Sequence, residues 1–251
     1  MLRNLLKYEF KATARIFIPI YIAILLVSIV NRLFRLVNIE LAFNLTVIVL
    51  VSLFIALGVL TIIGIVQRFN KNLLSDEGYL MFTLPVSPTK LIVSKLITSV
   101  VWTIVSGIAA LLSFTILVVD QNFILEFNRI LLEIQYLLQQ DFFGDRIWII
   151  IQMPFVGLMS YIGFILMIYL SLATAQLPKF NKHRGIISFV AFFILSTAIQ
   201  WITVILSRML YPTYISEDII IITTVLIGNI ILNILLFIGT DYILKKHLNL
   251  E

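Results

Sequence analysis

An all-α, polytopic membrane protein with six transmembrane helices is the fold class this sequence predicts, and three observations predict it. Several apolar runs exceed the ~18 residues at which a segment becomes a transmembrane helix candidate. Only 12% of the 251 residues are charged, against roughly a quarter in ordinary soluble domains, and the mean hydropathy is +1.09. The alternating segments of about ten residues that mark a membrane β-barrel are absent.

Six spans follow within a single transmembrane domain covering 1–251, at 16–34, 44–66, 96–119, 147–177, 185–207 and 219–243. The fourth exceeds what a bilayer requires, so it is tilted or kinked, and Pro154 is the kink site. Lysine and arginine placement sets the orientation. With the N-terminus in the cytoplasm, 13 of the 18 basic residues fall inside: Arg3, Lys7, Lys11, Arg15, Arg68, Lys71, Lys90, Lys95, Lys179, Lys182, Arg184, Lys245 and Lys246. Arg32, Arg35, Arg129, Arg146 and Arg208 fall outside. Six spans return the chain to its starting side, so both termini are expected to be cytoplasmic. The first apolar run ends in "SIVNRLFRL", which lacks a small-x-small cleavage site, and the span is expected to be retained rather than removed as a signal peptide.

Residues 1–15, "MLRNLLKYEFKATAR", put Leu2, Leu5, Leu6 and Phe10 on one side of a helical wheel and Arg3, Lys7, Lys11 and Arg15 on the other. This is the pattern of a helix lying on the inner membrane surface. Glu9 falls within the apolar face. Either it snorkels or pairs with a lysine, or it faces a protein partner. Between the third and fourth spans, residues 120–146 repeat apolar side chains at helical spacing (Phe123, Phe127, Ile130, Ile134, Leu137, Leu138), with Glu126, Arg129 and Glu133 on another face. An extracellular amphipathic helix is expected there, either simply interfacial or acting as an outer gate or exit ramp.

Chemistry-bearing motifs are missing. None of the ten glycines opens a G-x-x-x-x-G-K-[ST] loop, and neither G-x-S-x-G nor H-E-x-x-H occurs. The chain has no cysteine, and its two histidines, His183 and His247, lie far apart, so no metal site is expected. Nothing points to nucleic acid, and catalysis by this chain alone is not expected. The polar residues singled out inside the spans are uncharged, Gln152, Gln200, Asn229 and Asn233, and the nearest ionisable groups, Lys95 and Asp241, sit at span ends. Charge-coupled carriers need ionisable groups near mid-bilayer, which counts against that class. Asn229 and Asn233 share one helical face and serve either inter-helix hydrogen bonding or a translocation path. With Tyr161 and Trp201 they complete an uncharged, amphipathic set of path candidates: Gln152, Tyr161, Gln200, Trp201, Asn229 and Asn233.

The loop after the second span reads "SDEGYLMFTLPVSPTKL". Ser75 can cap a helix, and Asp76 and Glu77 then sit in its first turn, where the dipole favours acids. Gly78, Tyr79, Leu80, Phe82 and Leu84 follow before Pro85 stops the helix. Ser87 and Pro88 then form a second start, an N-cap with proline at the first helical position. The aromatic-rich segment 75–84 either dips into the inner leaflet or fits a groove on another protein.

These features together resemble the permease subunits of the ABC-2 type exporter family. The resemblance rests on the basic amphipathic N-terminus, the six spans, and the stretches "LLSDEGYLMFTLPVSPTKLIVSKLI" and "YLSLATAQLPKFNKHRG". It implies that 75–84 (Ser75, Asp76, Glu77, Gly78, Tyr79, Leu80, Phe82, Leu84) is a coupling helix seated on a separate ATPase subunit. It implies that 1–15 (Leu2, Leu5, Leu6, Glu9, Phe10) is an elbow helix. The implied assembly has two ATPase copies, which hold ATP and Mg while this chain holds no cofactor, and a second copy of this chain or a paralogous permease. It would sit in lipid in a bacterial plasma membrane. Similar small permeases export amphipathic peptides or confer immunity to them. Lipid or drug efflux is the alternative, as is a carrier or scaffold that works without an ATPase.

Overall fold

A computed structural model describes residues 2–70, 74, 87–119, 121–140, 145–177, 183–210 and 218–246. Among the described residues there are seven helices and no strand: α1 Leu2–Leu36, α2 Glu40–Phe69, α3 Pro88–Val118, α4 Gln121–Gln140, α5 Asp145–Thr174, α6 Arg184–Leu210 and α7 Asp218–Lys246. All but α4 are long and apolar enough to cross a membrane, and the chain is a multi-pass membrane protein on that ground.

Helix α1 joins two segments that the sequence separates. Residues 1–15 and 16–34 form one uninterrupted helix of 35 residues, so a distinct elbow helix is not seen. The physical reason is local. No glycine or proline lies between Lys11 and Ile16, and the one β-branched residue there, Thr13, turns its hydroxyl back onto the Glu9 carbonyl at 2.7 Å. Pro19 comes inside the helix and leaves the Arg15 carbonyl without its usual donor. The helix ends in a Schellman motif. Ile39 N–H donates to the Phe34 carbonyl (3.1 Å) and Asn38 N–H to the Arg35 carbonyl (3.3 Å). Asn38 takes the left-handed position at φ 59°, which glycine usually fills and asparagine tolerates.

The start of α3 is the serine-proline restart. Lys90 N–H donates to the Ser87 carbonyl at 2.9 Å, and Pro88 is the first helical residue. Helix α5 stops at Thr174 rather than 177. Ser171 to Leu177 close it with tightening turns, such as Gln176 N–H to the Ala173 carbonyl. Pro154 lies inside α5. Between the third and fourth spans the chain is helical, as expected, over α4, with Phe127 and Ile130 exposed.

The chain divides into two compact units, residues 1–65 with 93–136, and residues 66–92 with 137–251. In the first unit α1 packs on α3. Their partners keep a near-constant sequence offset: Glu9 with Lys95, Thr13 with Trp102, Tyr21 with Ser106, Ser28 with Ser113, and Arg32 with the Ile116 carbonyl. Both members advance together, so the two helices run parallel, as first and third spans of an alternating chain must. Phe17, Tyr21, Ile24, Leu57, Trp102 and Ala109 form the core of this unit.

The second unit repeats the arrangement. Helix α5 packs on α7 through Gln152 with Thr223, Ser160 with Asn229, and the Met159 carbonyl with Asn233. Leu170 also meets Gly239. These two helices again run parallel. Phe164 meets Phe192 of α6 edge-on at 6.0 Å, and Phe69 stacks on Tyr169 at 4.1 Å with both rings fully buried. In the first turn of α3, Thr89 donates to Asp241 of α7 at 2.8 Å.

Candidate functional site

The proposed coupling segment (Ser75, Asp76, Glu77, Gly78, Tyr79, Leu80, Phe82 and Leu84) lies outside the described residues. The structure does describe what receives the chain after it. Seven residues into α3, Lys95 donates to Glu9 Oε1 at 2.9 Å, with side-chain exposures of 2% and 9%. The acid on the apolar face of the N-terminal segment is therefore paired with a lysine. This is the first of the two readings its position allowed.

The rest of that segment follows its wheel. Leu2, Leu5, Leu6 and Phe10 are half-buried, while Arg3, Lys7, Lys11 and Arg15 are exposed. One and two turns on, Trp102 Nε1 donates to Thr13 Oγ1 at 2.6 Å, and the Trp102 indole stacks on Phe17 at 5.2 Å between ring centres. Phe10 lies 6.3 Å from the same indole. Tyr21 completes the ladder, with its hydroxyl 2.8 Å from Ser106 Oγ and 3.2 Å from the Trp102 carbonyl. The seam therefore carries one ion pair, one indole donor and two hydroxyl contacts over three turns of α1. In a dry environment each of these polar groups needs its partner, so they fix the register of α1 against α3.

Sequence reasoning passed over Lys95 as a span-end charge and did not single out Thr13, Tyr21, Trp102 or Ser106. A signal was present. The buried residues of α1 are Glu9, Thr13, Phe17, Tyr21, Ile24, Ser28 and Asn31, a spacing of threes and fours that traces a packing stripe.

Of the six path candidates, three are engaged in the α5–α7 seam. Thr223 Oγ1 lies 3.0 Å from Gln152 Oε1, Ser160 Oγ lies 3.4 Å from Asn229 Oδ1, and Asn233 Nδ2 donates to the Met159 carbonyl at 2.9 Å. Asn229 also donates to its own helix at the Val225 carbonyl. Tyr161 is half-buried in α5, whereas Gln200 and Trp201 stand exposed on α6. Asn233 is buried, and its Oδ1 has no hydrogen-bond partner. That oxygen lies against Gly163, where a Cβ would stand 2.7 Å away, so the two helices approach closely only because residue 163 has no side chain. Among the described residues, no three His, Cys, Asp or Glu come together as a metal would require.

Comparison with protein-family models, with curated proteins and with solved structures found no match for this chain.

Proposed function

We propose that this chain is the membrane-spanning permease subunit of an ATP-driven exporter of the ABC-2 type, which moves amphipathic or hydrophobic peptides out of the cell. ATP and Mg belong to a separate ATPase subunit in two copies, and a second copy of this chain or a paralogue completes the pathway. One observation carries the reading. In the sequence the aromatic-rich segment 75–84 directly precedes the serine-proline start of α3, and α3 is tied to the N-terminal helix by the buried Glu9–Lys95 pair. A push delivered at 75–84 by nucleotide-driven closure of a partner would pass along the chain to α3 and, through that pair, to α1. The uncharged seam of α5 and α7 suits an amphipathic cargo better than an ion.

The test is copurification of the full chain with its ATP-binding-cassette partner from membranes in mild detergent, followed by ATPase and transport measurements. Glu77→Arg and Phe82→Ala are expected to weaken ATPase capture or to uncouple hydrolysis while the spans still insert. Full capture and full transport by both variants would defeat the docking assignment. Absence of any copurifying ATPase would favour a carrier or scaffold instead.

A further inference from the structure

One side of the first unit carries an apolar groove of about 510 Å³ lined by Phe54 of α2 and by Gly107, Ala110, Leu111, Phe114 and Leu117 of α3. Its volume falls within the roughly 300–1,000 Å³ usual for ligand sites. The floor is open because Gly107 has no side chain, and a Cβ placed there would meet nothing within 4 Å. From residue 107 to 117 the groove follows α3 for about 15 Å, at ~1.5 Å rise per residue. That is about the depth of one leaflet, half of a ~30 Å hydrocarbon core.

Charge lies at one end only. Arg32 Nη1 donates to the Ile116 carbonyl at 2.7 Å, and Arg35 Nη1 lies 3.5 Å from the carbonyl of Leu117, the last groove residue. A guanidinium has five N–H donors, and each of these uses one on the end of α3. Their two charges exceed the roughly half-charges at the C-termini of α1 and α3. Glu40 opens α2 after the hairpin, where the helix N-terminus partly offsets its charge. No ion pair joins it to Arg32 or Arg35 among the described residues.

We infer that this groove with its arginine mouth is a binding site for an anionic glycerophospholipid, one acyl chain lying along α3 from Leu117 to Gly107 and the phosphate held by Arg32 and Arg35. The site is independent of the transport reading. An apolar groove alone would accept any chain or helix; a leaflet-deep groove that ends at two guanidinium groups selects a chain with an anionic head. Arg35, the more exposed of the two, acts as the headgroup clamp. Arg32 both caps α3 and faces the same phosphate.

The test uses the purified, delipidated full chain in mild detergent. Native mass spectrometry would follow titration with dioleoylphosphatidylglycerol or with dioleoylphosphatidylcholine. The anionic lipid is expected to bind more tightly, and Arg35→Gln is expected to weaken it by roughly fivefold, with little effect on the neutral lipid. Gly107→Leu, which fills open space and leaves the arginines in place, is expected to weaken both lipids. Equal binding of the two lipids, unchanged binding in Gly107→Leu, or occupation of the face by a second copy of the chain that lipid does not displace would each overturn the assignment.

Discussion

Removing Lys95 isolates a carboxylate. Glu9 and Lys95 are nearly enclosed, with 2.9 Å between Oε1 and Nζ. At that separation and an effective dielectric of ~20, their gross attraction is about 6 kcal/mol. Desolvation costs several kcal/mol for each ion, so the intact pair stands near break-even and the half-pair does not. Lys95→Met or Glu9→Leu alone is expected to cost about 3–5 kcal/mol, whereas the double variant is expected to lie close to the parent protein or above it. At 2–4 °C per kcal/mol for a chain of this size, the single variants should melt roughly 6–20 °C lower. Thermal unfolding of the purified full chain in mild detergent reads this, with the near-parent double variant as the internal control. The double variant returns the stability lost by each single variant only if the two side chains meet in solution as they do in the structure. Single-variant losses below about 1 kcal/mol, or losses that simply add in the double variant, would refute the buried-pair reasoning.

Two further expectations concern the backbone. Gly163→Ala drives a Cβ to 2.7 Å from Asn233 Oδ1, so Asn233 must shift, which strains its bond to the Met159 carbonyl. A net loss of about 1–2 kcal/mol is expected, overpacking of ~1–3 kcal/mol set against a gain in helix propensity of up to ~1 kcal/mol. The added variant Asn233→Ala should recover part of that loss in the same melting assay, and no loss in Gly163→Ala would discount the close approach. At the left-handed Asn38, glycine should be neutral or slightly stabilising. Valine should cost about 1–2 kcal/mol, because a β-branched side chain collides with the carbonyl there; equal melting of the two variants would argue against the Schellman end.

How much was legible follows from which forces leave marks in a sequence. The six spans were, because uninterrupted apolar runs of about twenty residues are what a hydrocarbon core demands and water-soluble helices avoid. The Ser87–Pro88 start was, because an N-cap and a first-turn proline are local chemistry. The division of 1–15 from 16–34 was not. The amphipathic wheel changes character near Arg15, but a change of solvent does not break a helix, and no residue there does. The α1–α3 seam escaped notice for a different reason. In water the packed face is the most apolar one, so apolar periodicity points to it. Facing lipid, every outward position is apolar as well, and the packed stripe is marked by its polar members: Glu9, Thr13, Tyr21 and Ser28 on α1, Lys95, Trp102, Ser106 and Ser113 on α3. Asn229 and Asn233 showed the same sign on α7, and there shared facing offered hydrogen bonding to a neighbouring helix as one of two readings, the other being a translocation path. Gly163 could be understood only with Asn233 in place, since a glycine inside a helix says nothing about what approaches it.

The parallel seam also sets a schedule for biogenesis. The α3 partners of α1 lie 81 to 89 residues downstream of it. At the ~5–20 residues per second of protein synthesis, the interval is about 4–18 s. Throughout that time Glu9, Tyr21 and Ser28 belong to a newly made helix whose complement has not left the ribosome. Helix α2 is inserted in between and bonds Asn31, but Lys95, Ser106 and Ser113 come only with α3. The first span must therefore wait beside the insertion machinery, or close to headgroups and water, until α3 arrives and the seam closes. A chain interrupted between α2 and α3 should consequently be a substrate for membrane quality control, whereas one interrupted after α3 should persist.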